Sequence, residues 1–381
     1  MRILAIETSC DETGVCVLEY TGLGVVSILG NALSSQVEIH AKYGGVFPTL
    51  AKRAHAEKMV PLLTQALDEA YLLDVPENPL AFDESLLSFL DEKETTLKEN
   101  IEPFLKYYSK PDIDYIAVTV GPGLEPALWV GVNAARALSS VWNIPVIPIN
   151  HMEGHVVTAA FTSEDKKDYA LNDLQFPILS LLVSGGHTEL VISESLGSYK
   201  KIGQTRDDAV GEAFDKVARM LGLPYPGGPA ISKLAKEYRE KNTENPFIMP
   251  RPMMHSGDYD FSFSGIKTAM LYTIRDLTSA NSRDLEAFEK QALACAFEDA
   301  AIEVLIKKTL NAAEEYGVQT LIIGGGVASN TYLRSELSKA IDQKFPQVTL
   351  LFPEPWLATD NAVMIGMAAM TRQSRERPFE V

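Results

Sequence analysis

The fold is decided by residues 2–20, RILAIETSCDETGVCVLEY, in which two apolar runs flank a short polar segment. The runs at 2–8 and 14–20 predict buried strands, with a tight turn between them. The pattern returns at residues 178–193, ILSLLVSGGHTELVIS. Such turns can direct backbone N–H groups and hydroxyls at a phosphate, although a polar hairpin without a ligand is the alternative. Two copies favour two similar lobes that hold the phosphates of one nucleotide.

Composition narrows the class of protein. The chain has 381 residues, 46% of them hydrophobic, and a formal net charge of −17. The length suggests two domains or one two-lobed domain, and the charge argues against non-specific binding to nucleic acid or anionic membranes. Three scattered cysteines exclude a disulfide framework and predict a reducing compartment. No signal peptide or membrane-length apolar stretch is apparent, so a cytoplasmic location is expected.

The rest of the chain alternates runs typical of strands with stretches typical of helices, as α/β proteins do. We expect an N-terminal lobe over residues 1–149 and a C-terminal lobe over residues 150–381. An acidic stretch at 74–109 has leucines at helical spacing and predicts a surface insertion with one or two short helices. Glycine turns at 121–123 and 324–326 follow strands, where α/β folds bind anions and other ligands.

Residues 150–161, NHMEGHVVTAAF, hold two of the six histidines. Asn150 is a suitable N-cap, so a helix is expected to begin here. His151 and His155 are four residues apart on one helical face, from which two imidazoles can reach one metal ion. A helix-terminal histidine pair without a metal is the alternative. At about 100° per residue Glu153 lies roughly 200° from His151, which disfavours a metalloprotease with Glu153 as general base.

A third ligand is available at Asp360, which precedes the final predicted helix and would otherwise be an ordinary helix cap. Two histidines and one carboxylate with open positions are typical of a catalytic metal site, and iron or zinc fits this set.

Other polar residues stand at helix starts. Asp207 and Asp208 are expected in the first turn of a helix, where acidic side chains suit the helix dipole. Asp215 lies further along the same helix and is a candidate to contact a ribose or another polar group. Asn330 is a candidate N-cap, a ligand contact, or both.

Five motifs occur together and in order: IETSCDET at 6–13, HMEGH at 151–155, SGGHT at 184–188, GEAFDK at 211–216 and TDN at 359–361. With them the chain resembles the tRNA threonylcarbamoyladenosine transferase family, in its bacterial TsaD branch, over nearly its whole length. The resemblance implies an α/β fold of the actin/Hsp70/sugar-kinase type, with two RNase H-like lobes around a central nucleotide cleft. It implies metal-assisted transfer of a threonylcarbamoyl group from threonylcarbamoyl-AMP to the adenosine 3′ of the anticodon, in tRNAs that read ANN codons.

The resemblance also implies site residues. His151, His155 and Asp360 correspond to the ligands of one divalent metal ion per subunit, with iron favoured over zinc. ATP or AMP is expected in the same cleft as threonylcarbamoyl-AMP. Asp11 and Glu12 are candidates to accept the proton of the attacking amine. Eight positions correspond to the adenylate contacts of the family: Leu182, Val183, Ser184, Gly185, Gly186, Asp215, Gly228 and Asn330.

A protein with a net charge of −17 needs a positively charged surface to bind a polyanionic tRNA substrate. Either a local track with Lys52, Arg53 and Lys58 binds the RNA, or a partner supplies a positive surface. The resemblance implies a TsaB-like paralogue and a TsaE-like ATPase, and no membrane. The insertion at 74–109 is longer than is usual in the family. Two other classes remain open: an ATP-dependent small-molecule kinase or ATPase of the same fold, and a non-catalytic scaffold.

Overall fold

The structure is a computed structural model that describes residues 1–22, 24–78, 81–195, 197–241, 244–281 and 283–376. The chain forms two compact units. Unit 1 comprises Met1–Asn172 and the C-terminal segment from Thr359 onward, and unit 2 comprises Asp173–Ala358. The predicted boundary at residues 149 and 150 therefore falls inside unit 1, and the C-terminal segment returns to that unit.

The strands form one sheet in each unit. Their bounds are β1 Arg2–Glu7, β2 Glu12–Gly22, β3 Val25–Ser35, β4 Tyr115–Gly121, β5 Val146–Asn150, β6 Phe161–Thr162, β7 Asp168–Leu171, β8 Ile178–Val183, β9 Thr188–Ser195, β10 Ser198–Gln204, β11 Thr320–Gly324 and β12 Thr349–Leu351. The first sheet has the order β5-β4-β1-β2-β3-β7-β6, and the second has the order β10-β9-β8-β11-β12.

The helices pack on these sheets. Their bounds are α1 Val37–Ala41, α2 Pro48–Glu69, α3 Thr95–Tyr107, α4 Glu125–Trp142, α5 His151–Ala159, α6 Val210–Met220, α7 Gly227–Arg239, α8 Ser264–Asn281, α9 Ala287–Tyr316, α10 Thr331–Lys344 and α11 Ala362–Glu376. Short 3₁₀ segments occupy Glu84–Leu90, Gly326–Ser329 and Pro355–Leu357. None of the helices in the described ranges is long and apolar enough to cross a membrane.

The two sheets share one strand order. In unit 1 the first strand β1 pairs antiparallel with β2 and parallel with β4. In unit 2 the first strand β8 pairs antiparallel with β9 and parallel with β11 in the same way. The orders β3-β2-β1-β4-β5 and β10-β9-β8-β11-β12 thus match strand for strand. This repetition confirms the predicted pair of RNase H-like lobes in an actin/Hsp70/sugar-kinase class of fold.

Strand pairing and the packing of the last helix explain why unit 1 includes residues beyond 150 and the C-terminal segment. Strand β7 pairs with β3, and β6 pairs with β7, so the chain beyond residue 150 extends the first sheet. In α11 every residue from 362 to 370 is buried. Helix α11 packs closely on the sheet, since a Cβ at Gly366 would lie 2.4 Å from Cδ1 of Leu18. A helix that returns to the first sheet after some 200 residues cannot be assigned from local patterns.

The acidic insertion, expected to hold one or two short helices, contains the 3₁₀ segment Glu84–Leu90 and α3. Its apolar side chains join the same core as α2 and α4, and they include Leu87, Leu90, Leu97, Ile101 and Leu105. Lys52 of α2 fastens the insertion, because its Nζ lies 3.0 Å from Oε1 of Glu94 and donates to the Lys93 carbonyl at 2.9 Å. Lys52 is thus engaged in an internal ion pair with a buried carboxylate. Arg53 pairs with Glu57 at 2.9 Å.

Candidate metal centre and nucleotide turns

Helix α5 begins where the sequence predicts. Oδ1 of Asn150 accepts hydrogen bonds from the backbone N–H groups of Met152 at 2.9 Å and Glu153 at 3.3 Å, as an N-cap does. His151 and His155 project from the same face, with ring centroids 4.7 Å apart and ring planes at 84°. Both imidazoles are buried. Buried polar rings on one face require partners, and these come from distant parts of unit 1.

Asp360 lies against both imidazoles. Its Oδ1 is 3.1 Å from Nε2 of His155 and 3.4 Å from Nε2 of His151. Ligand atoms about 2.1 Å from a tetrahedral metal ion lie roughly 3.4 Å from one another, so these separations suit a shared cation. One donor atom from each of the three residues lies within 4.8 Å of the other two. All three residues belong to unit 1, although the sequence prediction assigned them to a C-terminal lobe.

Glu7 forms the layer behind His151. Its carboxylate is fully buried at the end of β1, and Oε2 lies 3.3 Å from Nδ1 of His151. The same carboxylate accepts hydrogen bonds from the backbone N–H of Ser9 at 2.5 Å and from the hydroxyl of Thr119 on β4. When His151 is neutral, an Nδ1–H that donates to Glu7 leaves Nε2, on the side of Asp360, unprotonated. This is the tautomer that a metal ligand needs.

The charge around His151 favours a cation. Burial alone lowers the pKa of the imidazole, but the carboxylates of Asp360 and Glu7 outweigh burial and raise the pKa of His151 to about 9. Two carboxylates around one buried imidazole create a strongly negative pocket. Nδ1 of the neighbouring His155 is buried and has no hydrogen-bond partner within the described part of the chain.

Glu153 faces away from the metal centre, as helix geometry predicts. Its carboxylate is paired with the guanidinium of Arg372 on α11, which also donates to the Pro148 carbonyl at 2.9 Å. A carboxylate in this ion pair is not available as a base beside His151. The metalloprotease hypothesis therefore has no support from this side chain.

The turn after β1 adjoins the metal centre. Oγ of Ser9 donates to Oδ2 of Asp360 at 3.4 Å. Burial and the nearby charges of Asp11 and Asp360 raise the pKa of Glu12 to about 10. Oε1 of Glu12 also accepts a hydrogen bond from Oγ of Ser35 at 3.3 Å. Of the two carboxylates predicted to accept a proton, Glu12 is the one whose surroundings favour its protonated form, which favours Asp11 in that role.

The second turn, between β8 and β9 in unit 2, contains residues 184–187. Oγ of Ser184 accepts hydrogen bonds from the backbone N–H groups of Gly186 at 3.3 Å and His187 at 3.0 Å. The N-terminus of α6 packs on this turn, because a Cβ at Gly211 would lie 2.6 Å from the Ser184 carbonyl oxygen. The glycine turn after β11 also reaches it, since a Cβ at Gly325 would lie 2.4 Å from the Val183 carbonyl oxygen.

Asp215 and Asn330, two further residues predicted to contact the adenylate, make hydrogen bonds within unit 2. Oδ1 of Asp215 accepts a hydrogen bond from the backbone N–H of Gly227 at 2.6 Å, which ties α6 to the start of α7. Oδ1 of Asn330 accepts from the Leu333 N–H at 2.9 Å, so the predicted N-cap is confirmed. Its Nδ2 donates to Oγ of Ser232 at 3.0 Å and to Oε1 of Glu298 at 2.8 Å. Both amide hydrogens of Asn330 are therefore used inside the protein.

Three of the predicted contact glycines have open space beside them. A Cβ built at Gly185, Gly186 or Gly228 would have no heavy atom within 4 Å among the described residues. By contrast, a Cβ at Gly211 or Gly325 would meet backbone atoms at less than 3 Å. The first three glycines are thus not required by internal packing, and their open sides leave room for a ligand close to the backbone.

Asp207 and Asp208 correct one expectation from the sequence. Helix α6 begins at Val210, so both residues precede its first turn. Asp207 instead accepts hydrogen bonds from Ser262, Phe263 and Ser264, which include the Phe263 backbone N–H at 2.8 Å. Asp208 pairs with two lysines, Lys216 at 2.8 Å and Lys267 at 2.6 Å. The two carboxylates hold the long loop before α8 against α6, a contact that local sequence does not reveal.

The sequence prediction missed Glu7 as the orienting partner of His151. A signal was present, since a glutamate at the end of an otherwise apolar buried strand requires strong hydrogen bonds. Of those partners, Ser9 lies two residues further along the chain, whereas Thr119 reaches Glu7 only through the pairing of β1 with β4.

Comparisons with known proteins agree with these features. The sequence model of the family TsaD, tRNA N6-adenosine threonylcarbamoyltransferase, matches residues 27–73 and 96–367. The unmatched stretch between these ranges lies within the acidic insertion. The chain is 41% identical over 367 residues to the tRNA N6-adenosine threonylcarbamoyltransferase of Enterococcus faecalis, covering 96% of this chain and 89% of the relative. It is 40% identical over 372 residues to the protein of the same name from Nitrosospira multiformis, covering 98% and 91%.

A solved structure supports the fold alone. Full-length HypF, crystallised in a phosphate- and nucleotide-bound form, superposes with a TM-score of 0.53 at 12% identity, covering 99% of this chain and 47% of that one. Motifs, metal-site geometry and full-length similarity coincide, and the chain belongs to the TsaD family, tRNA N6-adenosine threonylcarbamoyltransferase.

Proposed function

We propose that this protein transfers a threonylcarbamoyl group from threonylcarbamoyl-AMP to N6 of the adenosine 3′ of the anticodon, in tRNAs that read ANN codons. The family membership supplies the reaction. The observation that carries the proposal within the chain is the convergence of His151, His155 and Asp360. A non-catalytic scaffold of the same fold would have no need for two buried imidazoles directed at one carboxylate.

The metal ligands in this proposal are Nε2 of His151, Nε2 of His155 and a carboxylate oxygen of Asp360. The set suits iron, and zinc is the second candidate. A bound ion would supply Lewis-acid polarisation of the carbamoyl or phosphate oxygen. The protein supplies the orientation of the ligands, through Asn150 at the helix start and Glu7 behind His151. Ser9 supports Asp360 from the turn after β1.

The reaction itself is an acyl transfer. The N6 amine of adenosine attacks the carbamoyl carbon, a C–N bond forms, the bond from that carbon to the phosphate oxygen breaks, and AMP leaves. The amine must lose one proton, and Asp11 is the proposed acceptor. Glu12 is the weaker candidate, because burial and the neighbouring carboxylates raise its pKa and so favour its protonated form, and because it already accepts from Ser35.

The adenylate is proposed to bind unit 2 at the turn after β8 and at the starts of α6 and α7. The residues are the eight predicted from the family, with the role of Asn330 restricted by its internal hydrogen bonds. ATP or AMP would bind the same position. Backbone N–H groups at the open glycines would approach the phosphate closely, as glycine turns do in other nucleotide sites.

Alanine at Gly186 or Gly228 is expected to weaken AMP binding about 10-fold or more while the protein folds normally. Neither glycine has a positive φ, and neither added methyl group meets a protein atom within 4 Å, so the methyl would occupy only the ligand's space. Calorimetric titration with AMP measures the affinity, and thermal unfolding measures stability. Gly211→Ala is the contrasting variant, because its Cβ would collide with the Ser184 carbonyl and lower stability. Unchanged AMP affinity in both open-site variants would contradict this placement.

The partners proposed are tRNA, a TsaB-like paralogue and a TsaE-like ATPase, in the cytoplasm. A chain at −17 needs a positive surface to hold tRNA, and Lys52 is engaged with Glu94. Because Lys52 is engaged, a partner protein is a better candidate for the positive surface than the face of α2 that carries Lys52, Arg53 and Lys58. Charge reversal at Lys52 would also release the insertion, so Arg53 and Lys58 are the better positions to test the α2 face.

The decisive experiment is threonylcarbamoyl transfer to unmodified tRNA, read by nucleoside mass spectrometry, with the protein alone and with its partners. Wild-type protein is expected to form the product and His151→Ala to form none. Absence of product from metal-loaded wild type with competent partners would refute the proposal. Phosphoryl transfer to a small molecule without tRNA would support the kinase alternative. Product from an unimpaired His151→Ala would retain the reaction and refute the metal assignment.

A further inference from the structure

Two buried histidines lie outside the metal centre. His40 on α1 and His55 on α2 have no measurable exposure, and Gln36 between them is 2% exposed. The three side chains form a continuous chain of hydrogen bonds: Nε2 of His40 is 3.1 Å from Oε1 of Gln36, and Nε2 of Gln36 is 3.3 Å from Nδ1 of His55. A buried polar chain of this length is costly unless every member is satisfied.

The ends of this chain fix its protonation. At one end the backbone N–H of Phe47 donates to Nδ1 of His40 at 3.3 Å, so a neutral His40 carries its hydrogen on Nε2. That hydrogen must go to the carbonyl oxygen of Gln36, which leaves the amide of Gln36 to donate to Nδ1 of His55. At the other end Nε2 of His55 donates to the Cys10 carbonyl at 3.0 Å, and a carbonyl can only accept. Both ends therefore require the same assignment, with each imidazole neutral and protonated on Nε2.

Burial supports the neutral state, because it lowers the pKa of both His40 and His55. Thr13 adds a second donor, since its hydroxyl lies 2.7 Å from Nδ1 of His55 and shares that acceptor with the Gln36 amide at 3.3 Å.

The hydrogen-bond chain from His40 through Gln36 to His55 ends at the turn that carries Asp11 and Glu12. Three successive carbonyls of that turn are held by groups from elsewhere in unit 1. The Ser9 carbonyl accepts from Leu124 N–H at 2.7 Å, the Cys10 carbonyl from His55, and the Asp11 carbonyl from Gln36 N–H at 2.8 Å. Gln36 thus holds the turn through its backbone and orders His55 through its side chain.

We propose that the His40–Gln36–His55 chain is a positioning device that fixes the backbone of the turn at residues 9–12, and with it the carboxylate of Asp11, for threonylcarbamoyl transfer. The inference rests on the proposed function. His55 and Gln36 act through the turn and do not touch the substrate. Packing alone would be met more cheaply by apolar side chains of similar volume, so the directional bonds serve orientation.

A matched pair of variants at His55 tests the role. Glutamine places an amide N–H near the position of Nε2 and can still donate to the Cys10 carbonyl. Asparagine is too short to do so. We expect His55→Asn to lower kcat for transfer about 10- to 100-fold with little change in KM for tRNA, since small misplacements of catalytic groups cost this much. His55→Gln should retain activity within about 3-fold of wild type, and Gln36→Leu should resemble His55→Asn.

The control is Leu63→Ala. Leu63 is a buried residue of α2 that takes no part in the hydrogen-bond chain, so its truncation is expected to lower stability without altering the turn. All variants are assayed as full-length, metal-loaded protein with its partners. Long-range ¹H–¹⁵N NMR of histidine-labelled wild type is the second measurement, and it does not depend on activity. Two neutral imidazoles protonated on Nε2, with a changed signal for His55 in Gln36→Leu, are expected.

The outcomes separate the two proposals. Inactive wild type would refute the proposed function and with it this role. Active wild type with an unimpaired His55→Asn would refute the positioning role alone. A charged or Nδ1-protonated His40 or His55 in the NMR spectrum would refute the hydrogen-bond assignment on which the role depends. A kcat of Leu63→Ala as low as that of His55→Asn would assign the loss to stability and overturn the inference.

Discussion

Asp360→Ala is expected to abolish metal binding and to lower threonylcarbamoyl transfer at least about 1000-fold. Asp360 is the shared neighbour of both imidazoles, with Oδ1 at 3.1 and 3.4 Å from their Nε2 atoms. Its removal leaves two neutral ligands and no negative charge among them. Loss of a Lewis acid withdraws several kcal/mol of transition-state stabilisation, and each 1.36 kcal/mol is a factor of about ten in rate.

Metal content by plasma mass spectrometry and product by nucleoside mass spectrometry measure the two effects. Glu153→Gln is the control on the same buried region, because that carboxylate pairs with Arg372 and faces away from His151. It should lower stability but leave metal content intact. Retained metal with lost activity in Asp360→Ala would assign Asp360 to the reaction and remove it from the ligand set. Retained activity would refute both roles.

Glu7→Gln is expected to weaken metal affinity about 10- to 100-fold, the usual cost of losing a carboxylate that orients a ligating histidine. Glutamine keeps the volume of glutamate but removes its charge. If its amide faces His151 it donates to Nδ1, which moves the imidazole hydrogen to Nε2 and blocks the ligand atom. If its carbonyl faces His151, the bond survives without the charge and the loss is smaller.

Competition with a fluorescent metal chelator measures this affinity on protein whose folding has been checked by circular dichroism. Thr119→Val is the matched control, since it removes one hydrogen bond to Glu7 but leaves the carboxylate beside His151. Its effect on metal affinity should be clearly smaller than that of Glu7→Gln. Equal affinities of Glu7→Gln and wild type would show that Glu7 is only a structural group.

Local sequence determined the elements that carry the site. Short apolar runs on either side of polar turn residues predicted β1 and the strand–turn–strand unit at residues 178–193, because both signals are local properties. Asn150 predicted the start of α5 through its capping geometry, and the helical period predicted that Glu153 turns away from His151. Motif resemblance brought Asp360 to the two histidines, although they are about 200 residues apart in sequence.

Only the tertiary structure decided how these elements combine. It assigned β6 and β7 to unit 1, because they pair at the edge of the first sheet, and α11 to the same unit, because its buried face packs on that sheet. The tertiary structure also brought Thr119 to Glu7 and paired Lys52 with Glu94 of the insertion. It also joined His40, Gln36 and His55 to the Cys10 carbonyl. The sequence alone determines which side chains are present and which helix or strand carries them. Hydrogen bonds between residues far apart in sequence depend on strand pairing and packing, so they appear only once the chain is folded.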